Sequence, residues 1–151
     1  MIEEKIKELG LELPEAPKAL AAYIPSLKIN NLVFTAGQIP VVKGELKIKG
    51  KLGAEISEEE GRKAAEICAM NCLSVVKTAA GSLDNIGRIV KLTVFVNSAE
   101  GFSDQHKVAN GASELIGKIF GEAGQHVRSA VGVNELPMNA AVEIEMIAEV
   151  K

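Results

Sequence analysis

Aromatic residues are almost missing from this chain of 151 residues: four Phe, one Tyr and no Trp make up 3%. The core must therefore be aliphatic, and surfaces on which nucleic-acid bases could stack are scarce. A basic field is missing too. The formal net charge is -3 and the pI about 5.5, which argues against a nucleic-acid partner, because phosphate binding needs Lys and Arg to displace counterions. No apolar run approaches the roughly 20 residues of a membrane span. Met1-Ile-Glu-Glu-Lys5 opens polar and acidic, unlike a secretory signal. The cysteines are two, Cys68 and Cys72, four apart on an expected helix with no nearby His or third Cys. A buried pair of reduced thiols is expected there, and no zinc site. Gly121-Glu-Ala-Gly124 lacks the strand–turn–helix context of a phosphate loop, and no Ser-His-Asp spacing or metal-ligand cluster stands out. These absences lead to the expectation of a cytoplasmic protein with no metal, no cofactor and no membrane or nucleic-acid partner.

What is present is an ordinary globular balance, 47% hydrophobic and 25% charged, in a length that suits a single domain over residues 1–151. Residues 1–18 read as an N-terminal helix (Ile2, Ile6 and Leu9 at helical spacing, Gly10 as the stop) followed by a two-proline connector. Residues 23–29 read as a first strand with Pro25 near its start, and residues 32–36 as a buried second strand. Residues 41–53 read as a loop or small β-excursion. Ser57 and Glu60 form a capping-box pattern that opens a helix from Glu58 to Ala80, with an apolar stripe through Ala64, Ile67, Cys68, Cys72, Val75, Val76 and Ala79. Residues 86–97 are β-branched and apolar, a strand. Ser103 or Asp104 starts a second helix that runs to Phe120, in which Gly111 and Gly117 weaken the pattern.

The stretch from His126 to Glu149 closes the chain with two apolar-alternating runs joined near residues 137–139. This reads as a hairpin, with Val142, Ile144 and Met146 on one face and Glu143 and Glu145 on the other. A symmetric turn would set Arg128 opposite Glu149 and leave Glu143 roughly 20 Å away at ~3.3 Å per residue. One cavity would then hold both only with a different pairing or a second subunit. The element order predicts an α+β domain with both long helices on one face of the sheet. Thr93, Arg128, Glu143 and Glu145 are expected on a partly polar open face that a partner copy would cover. An Arg on a mostly apolar strand needs a carboxylate, from the protein as a structural ion pair or from a ligand; the pattern leaves both open.

Five segments in this order resemble one family: Ala22-Tyr23, Phe34-Thr-Ala-Gly-Gln-Ile-Pro40, Val90-Lys-Leu-Thr-Val-Phe-Val96, Val127-Arg-Ser-Ala-Val-Gly-Val133 with Leu136-Pro137, and Val142-Glu-Ile-Glu-Met-Ile-Ala148. Together they resemble the RidA/YjgF family over residues 19–150. These are reactive-intermediate deaminases, formerly called L-PSP endoribonucleases. The resemblance implies a chorismate-mutase-like fold, a homotrimer and sites at the subunit interfaces. It implies hydrolysis of 2-iminobutanoate- or 2-iminopropanoate-type substrates to 2-keto acids and ammonia. By the same resemblance Arg128 binds the substrate carboxylate, Glu143 positions water, Tyr23 lines the pocket, and Asn110 matches a pocket asparagine. The family's Ser-Gly turn is Ala36-Gly37 here, its frequent cysteine is Ala130, and its frequent proline is His126. The missing hydroxyl and thiol keep a non-catalytic metabolite-binding trimer open as an alternative, and ribonuclease is the weaker one. His126 shares the face of Arg128 by the period-2 rule; it reads as a partly exposed rim residue, with contact to ligand or proton movement as the alternative. His106 is expected at the surface.

Overall fold

The computed structural model describes residues 1–18 and 22–151; residues 19–21, where the resemblance begins, lie outside the described residues. The chain runs through helix α1 (Ile2–Glu8), strands β1 (Ser26–Ile29) and β2 (Leu32–Thr35), a small hairpin of β3 (Val41–Val42) and β4 (Glu45–Leu46), helix α2 (Glu58–Ala80), strand β5 (Ile86–Asn97), helix α3 (Gln105–Phe120), and strands β6 (Val127–Val133) and β7 (Val142–Val150). Five strands form one mixed sheet in the order β1-β2-β7-β5-β6. Among the five strands of this sheet, β5 and β6 are the pair that runs parallel; the others run antiparallel.

The sequence signals for α2 act as expected. Ser57 Oγ accepts from the backbone N–H of Glu60, and Glu60 Oε2 accepts from the backbone N–H of Ser57. This satisfies two helix-start donors that otherwise have no partner. Cys68 and Cys72 lie in the core and are free thiols. Their S–H groups point at the carbonyls of Val142 and Ile144, which fixes α2 over β7. The stripe is rotated slightly from the expected one: Ala65, Ala69 and Leu73 are fully buried, whereas Ile67 and Ala79 are half-buried. At Gly111 the backbone of α3 lies directly against the backbone of α2. A Cβ there would stand 2.2 Å from the carbonyl oxygen of Arg62. The glycine that weakens helix propensity is what lets the two backbones meet.

The C-terminal stretch is not a hairpin. Strand β5 lies between β6 and β7: Phe95 registers with Val131 on one side and Glu143 on the other. Alternation is the same for a strand in a hairpin and for one across a neighbour, so the pattern could not separate them. Residues 134–141 instead step over the end of β5. The buried Asn97 holds them there: its Nδ2 donates to Asn139 Oδ1 at 3.1 Å and to the Ala140 carbonyl at 3.0 Å. Lys51 Nζ reaches Asn97 Oδ1 and the carbonyl of Asn134. β6 follows β5 through α3, the crossover that parallel pairing requires.

Two shorter expectations are also corrected. The first strand begins at Ser26, not Tyr23; Pro25 has no N–H to give, and its carbonyl takes the N–H of Ala36, one step beyond the Ser26–Thr35 pair. The second strand is buried on one face only, through Val33 and Thr35, while Phe34 is exposed on the other. The inner face of the sheet carries Leu92, Val94, Val96, Val142, Ile144 and Met146, all buried beneath the helices. The outer face carries the row Leu27, Phe34, Ile147, Lys91 and Val127. Leu27 is 51% and Val127 65% exposed, so this face presents exposed apolar side chains, with Lys91 between Ile147 and Val127.

Candidate functional site

Arg128 sits on β6 in register with Leu92, whose side chain is buried under the helices. Registered residues on paired strands share a face, so Arg128 points to the inner face. There it meets α3: Nη1 donates to Asn110 Oδ1 at 2.9 Å and to Ser113 Oγ at 3.0 Å, and Nη2 donates to the His106 carbonyl at 3.3 Å. The expectation that Arg128 shares the open face with Thr93, Glu143 and Glu145 is therefore overturned. Its cause is the parallel β5–β6 register, which a hairpin reading cannot supply. No carboxylate among the described residues forms an ion pair with Arg128. All three protein partners are neutral acceptors.

His126 joins this group, one alternation back along the chain. Its Nε2 lies 2.9 Å from Ser113 Oγ and its Nδ1 2.6 Å from the Gly124 carbonyl. Ala130, also on the Arg128 face, is half-buried against the core. The side chain of His106 is exposed. No motif in the sequence around Ser113 marks it as part of this group. The available signal was spacing: His106, Asn110 and Ser113 fall at i, i+4 and i+7, one face of a helix.

Glu143 stands on the outer face. It is half-buried, and Gly37 packs against it so closely that a Cβ on Gly37 would lie 2.3 Å from Glu143 Oε1. Gln38, the next residue, exchanges backbone hydrogen bonds with Ile144 (2.8 and 3.0 Å), which seats the Ala36–Gly37 turn beside β7. Burial, with the charge of Glu145 second, holds the Glu143 carboxyl above the ordinary carboxylate range. Tyr23 is exposed just before β1, at the opposite edge of the sheet from β6.

The sequence-derived residues thus fall into separate groups. Arg128, Asn110, His126 and Ala130 lie on the inner side of the β6 edge. Glu143, Ala36 and Gly37 lie together on the outer face. Glu143 and Arg128 are two strand spacings apart, about 10 Å, and three residues apart along the strand, again about 10 Å. They are on opposite faces, so no single cavity of one protomer holds both side chains. The thiols are not part of either group. Burial raises both, Cys68 well above the usual thiol value and Cys72 to about 12, which leaves them as inert core groups.

Residues 3–150 match the family model described as "YjgF/chorismate_mutase-like, putative endoribonuclease". Protein TCP17 of Trypanosoma cruzi is 41% identical over 95% of this chain and 91% of its own length. The crystal structure of Atu1372 from Agrobacterium tumefaciens, described as of unknown function, superposes with a TM-score of 0.92 at 43% identity, covering 99% of this chain and 92% of that one. Escherichia coli "Putative reactive intermediate deaminase TdcF" is 30% identical over 91% of this chain and 94% of its own. Its crystal structure with bound serine gives a TM-score of 0.67, covering 93% of this chain and 97% of that one. No helix among the described residues is long and apolar enough to cross a membrane. The match over nearly the whole chain, the mixed sheet and the ordered motifs agree, and this chain belongs to the RidA/YjgF family.

Proposed function

We propose that the chain is a deaminase that hydrolyses a 2-imino acid, or its enamine tautomer, to the 2-keto acid and ammonia, in a homotrimer whose sites lie between subunits. The observation that carries this reading is Arg128. It is a half-buried cation oriented by three neutral acceptors and lacking a carboxylate among the described residues. Such a group favours an incoming carboxylate, to which a guanidinium can present parallel N–H donors. The serine bound to TdcF carries a carboxylate of this kind.

In the proposed reaction a water oxygen bonds to C2 of the imine while Glu143 takes a water proton. The imine nitrogen gains protons, the C2–N bond breaks, and ammonia leaves as the C2–O bond becomes the ketone. One imino acid and one water give one keto acid and one ammonia. A carboxyl whose pKa burial raises is a stronger base toward water than an ordinary carboxylate. Gly37 leaves room for the carboxylate and offers backbone to the reacting centre. Because Arg128 and Glu143 face away from each other in one protomer, one copy would supply Arg128, Asn110 and Ala130, and its neighbour Glu143, Ala36 and Gly37. Tyr23, at the far edge, would line the site from a neighbouring copy. The exposed apolar outer face supports such an assembly.

Mixing two inactive variants tests this. Arg128→Met and Glu143→Gln are each expected to lose turnover of an imine made in situ by an amino-acid oxidase. Co-refolded mixtures should regain part of it, because some interfaces then pair an intact Arg128 with an intact Glu143. Mixtures as inactive as either parent would refute a shared site. Ala36 and Ala130, in place of a hydroxyl and a thiol, favour one second reading, a metabolite-binding trimer without turnover. Keto-acid binding by a wild type that turns over no imine would establish that one instead.

A further inference from the structure

We infer that Ser113 and His126 form a directional hydrogen-bond relay that positions the Arg128 guanidinium for the ligand carboxylate. The inference rests on the carboxylate reading of Arg128 given above. His126 Nδ1 stands 2.6 Å from the carbonyl of Gly124. A carbonyl oxygen has no proton to offer, so Nδ1 carries the hydrogen. In the neutral ring Nε2 is then an acceptor, and the Ser113 hydroxyl, 2.9 Å away, donates to it. With its only proton committed to His126, Ser113 Oγ turns its lone pairs to Arg128 Nη1 at 3.0 Å. Every bond runs one way: Arg128 to Ser113, Ser113 to His126, His126 to the Gly124 carbonyl. Chains aligned in this way polarise each other.

The anchor is backbone, not side chain. Gly124 is buried in the turn over residues 121–124, which packs against α3, so the carbonyl that sets the His126 tautomer is held by the same helix that carries Ser113. Asn110 Oδ1 supplies the second acceptor for Nη1 at 2.9 Å. The guanidinium is thereby held at Nη1 by α3, with its plane set before any ligand arrives. His126 accordingly acts through Ser113 and does not touch substrate; it is a positioning residue. Removing the Ser113 hydroxyl leaves Arg128 charged and in place on β6, with Asn110 Oδ1 and the His106 carbonyl as its remaining acceptors, so Nη1 is held by one bond instead of two and the plane of the guanidinium is less closely set. That loss falls on binding of the carboxylate, a group that does not change charge in the reaction, and so on KM more than kcat.

Calorimetric titration with 2-oxobutanoate and steady-state imine kinetics test the relay on the intact protein. Ser113→Ala and His126→Leu should each weaken Kd and raise KM by about tenfold, with kcat within about twofold. His126→Gln, whose amide oxygen can still accept from Ser113, should recover most of the affinity, which a merely structural role would not produce. Nitrogen-15 spectra of labelled histidine should show His126 as the Nδ1–H tautomer in the wild type. Wild-type binding matched by both Ser113→Ala and His126→Leu, or an Nε2–H tautomer, would overturn the relay alone. A wild type that binds no 2-keto acid would instead remove the carboxylate reading and this role together.

Discussion

Gly37→Ala moves the Glu143 carboxylate without changing its chemistry. The added Cβ would stand 2.3 Å from Glu143 Oε1, 2.9 Å from Cδ and 3.1 Å from Cγ. Ordinary contact begins near 3.4 Å, so the carboxylate must retreat by about 1 Å. The retreat costs little in stability, because the clashing atoms are the far end of a flexible, half-buried side chain. Gly37 is not among the residues with left-handed φ, so alanine fits the backbone, and loss of glycine freedom in the unfolded chain returns about 0.4–1 kcal/mol. The melting temperature should therefore stay within about 3 °C of wild type. Catalysis has no such tolerance: a displacement of about 1 Å can cost on the order of 100-fold in rate. The expected result is a kcat lower by that order, with 2-keto-acid affinity unchanged because Arg128 is untouched. The assay is keto-acid formation from imine generated in situ, paired with thermal melting and calorimetry. A kcat within twofold of wild type would show that Glu143 does not act from its observed place. A melting point lower by 10 °C would show that the Gly37 contact is structural.

Arg128→Lys keeps the charge but cannot serve Asn110, Ser113 and His106 together, so it should abolish keto-acid binding and turnover while lowering the melting temperature by only a few degrees; unchanged affinity would make Arg128 structural. Glu145→Gln removes the second cause of the raised Glu143 pKa and leaves burial, so the acid limb of the kcat profile should move to lower pH. The sign for stability is the same: a carboxyl raised in the folded state stabilises at acid pH and loses that contribution as pH rises through its folded value, so the variant should gain stability at neutral pH relative to wild type. Replacing Cys68 and Cys72 with Ala should cost about 1–3 kcal/mol through cavities against Val142 and Ile144, with kcat intact; loss of turnover in a folded double variant would contradict the core assignment.

The helices were legible because their signals are local. Ser57 and Glu60 lie three residues apart and mark the start of α2, and Gly81 marks its end. β5 was legible as an element for the same reason, being one run of β-branched residues. The pairing of β6 was not. Its alternation places Arg128 and Ala130 on one face and Val127, Ser129 and Val131 on the other, but does not say which face meets the helices. That depends on a contact with Leu92, 36 positions earlier in the chain, and on the Asn97 clasp that lets residues 134–141 step over β5. Neither contact leaves a periodic trace.

The same non-locality explains which parts of the candidate site could be anticipated. Asn110 and His126 were reachable, one by resemblance and one by sharing a face with Arg128, yet the hydroxyl that links His126 to the guanidinium was not, because serine on a helix face ordinarily meets water. Ser113 acquires meaning only when α3 is laid against β6. Glu143 shows the converse. Its strand position was readable from Val142, Ile144 and Met146, but its raised pKa comes from burial by the Ala36–Gly37 turn, over 100 positions earlier. That turn is also where the hydroxyl implied by the resemblance is missing, so only backbone groups stand where the resemblance implies a polar side chain. In the proposed reaction, a chain that keeps Arg128 and Glu143 but has Ala36 and Ala130 in place of a hydroxyl and a thiol would make positioning the larger part of its rate, since an electrophilic imine would ask for little activation once water and carboxylate are held in place.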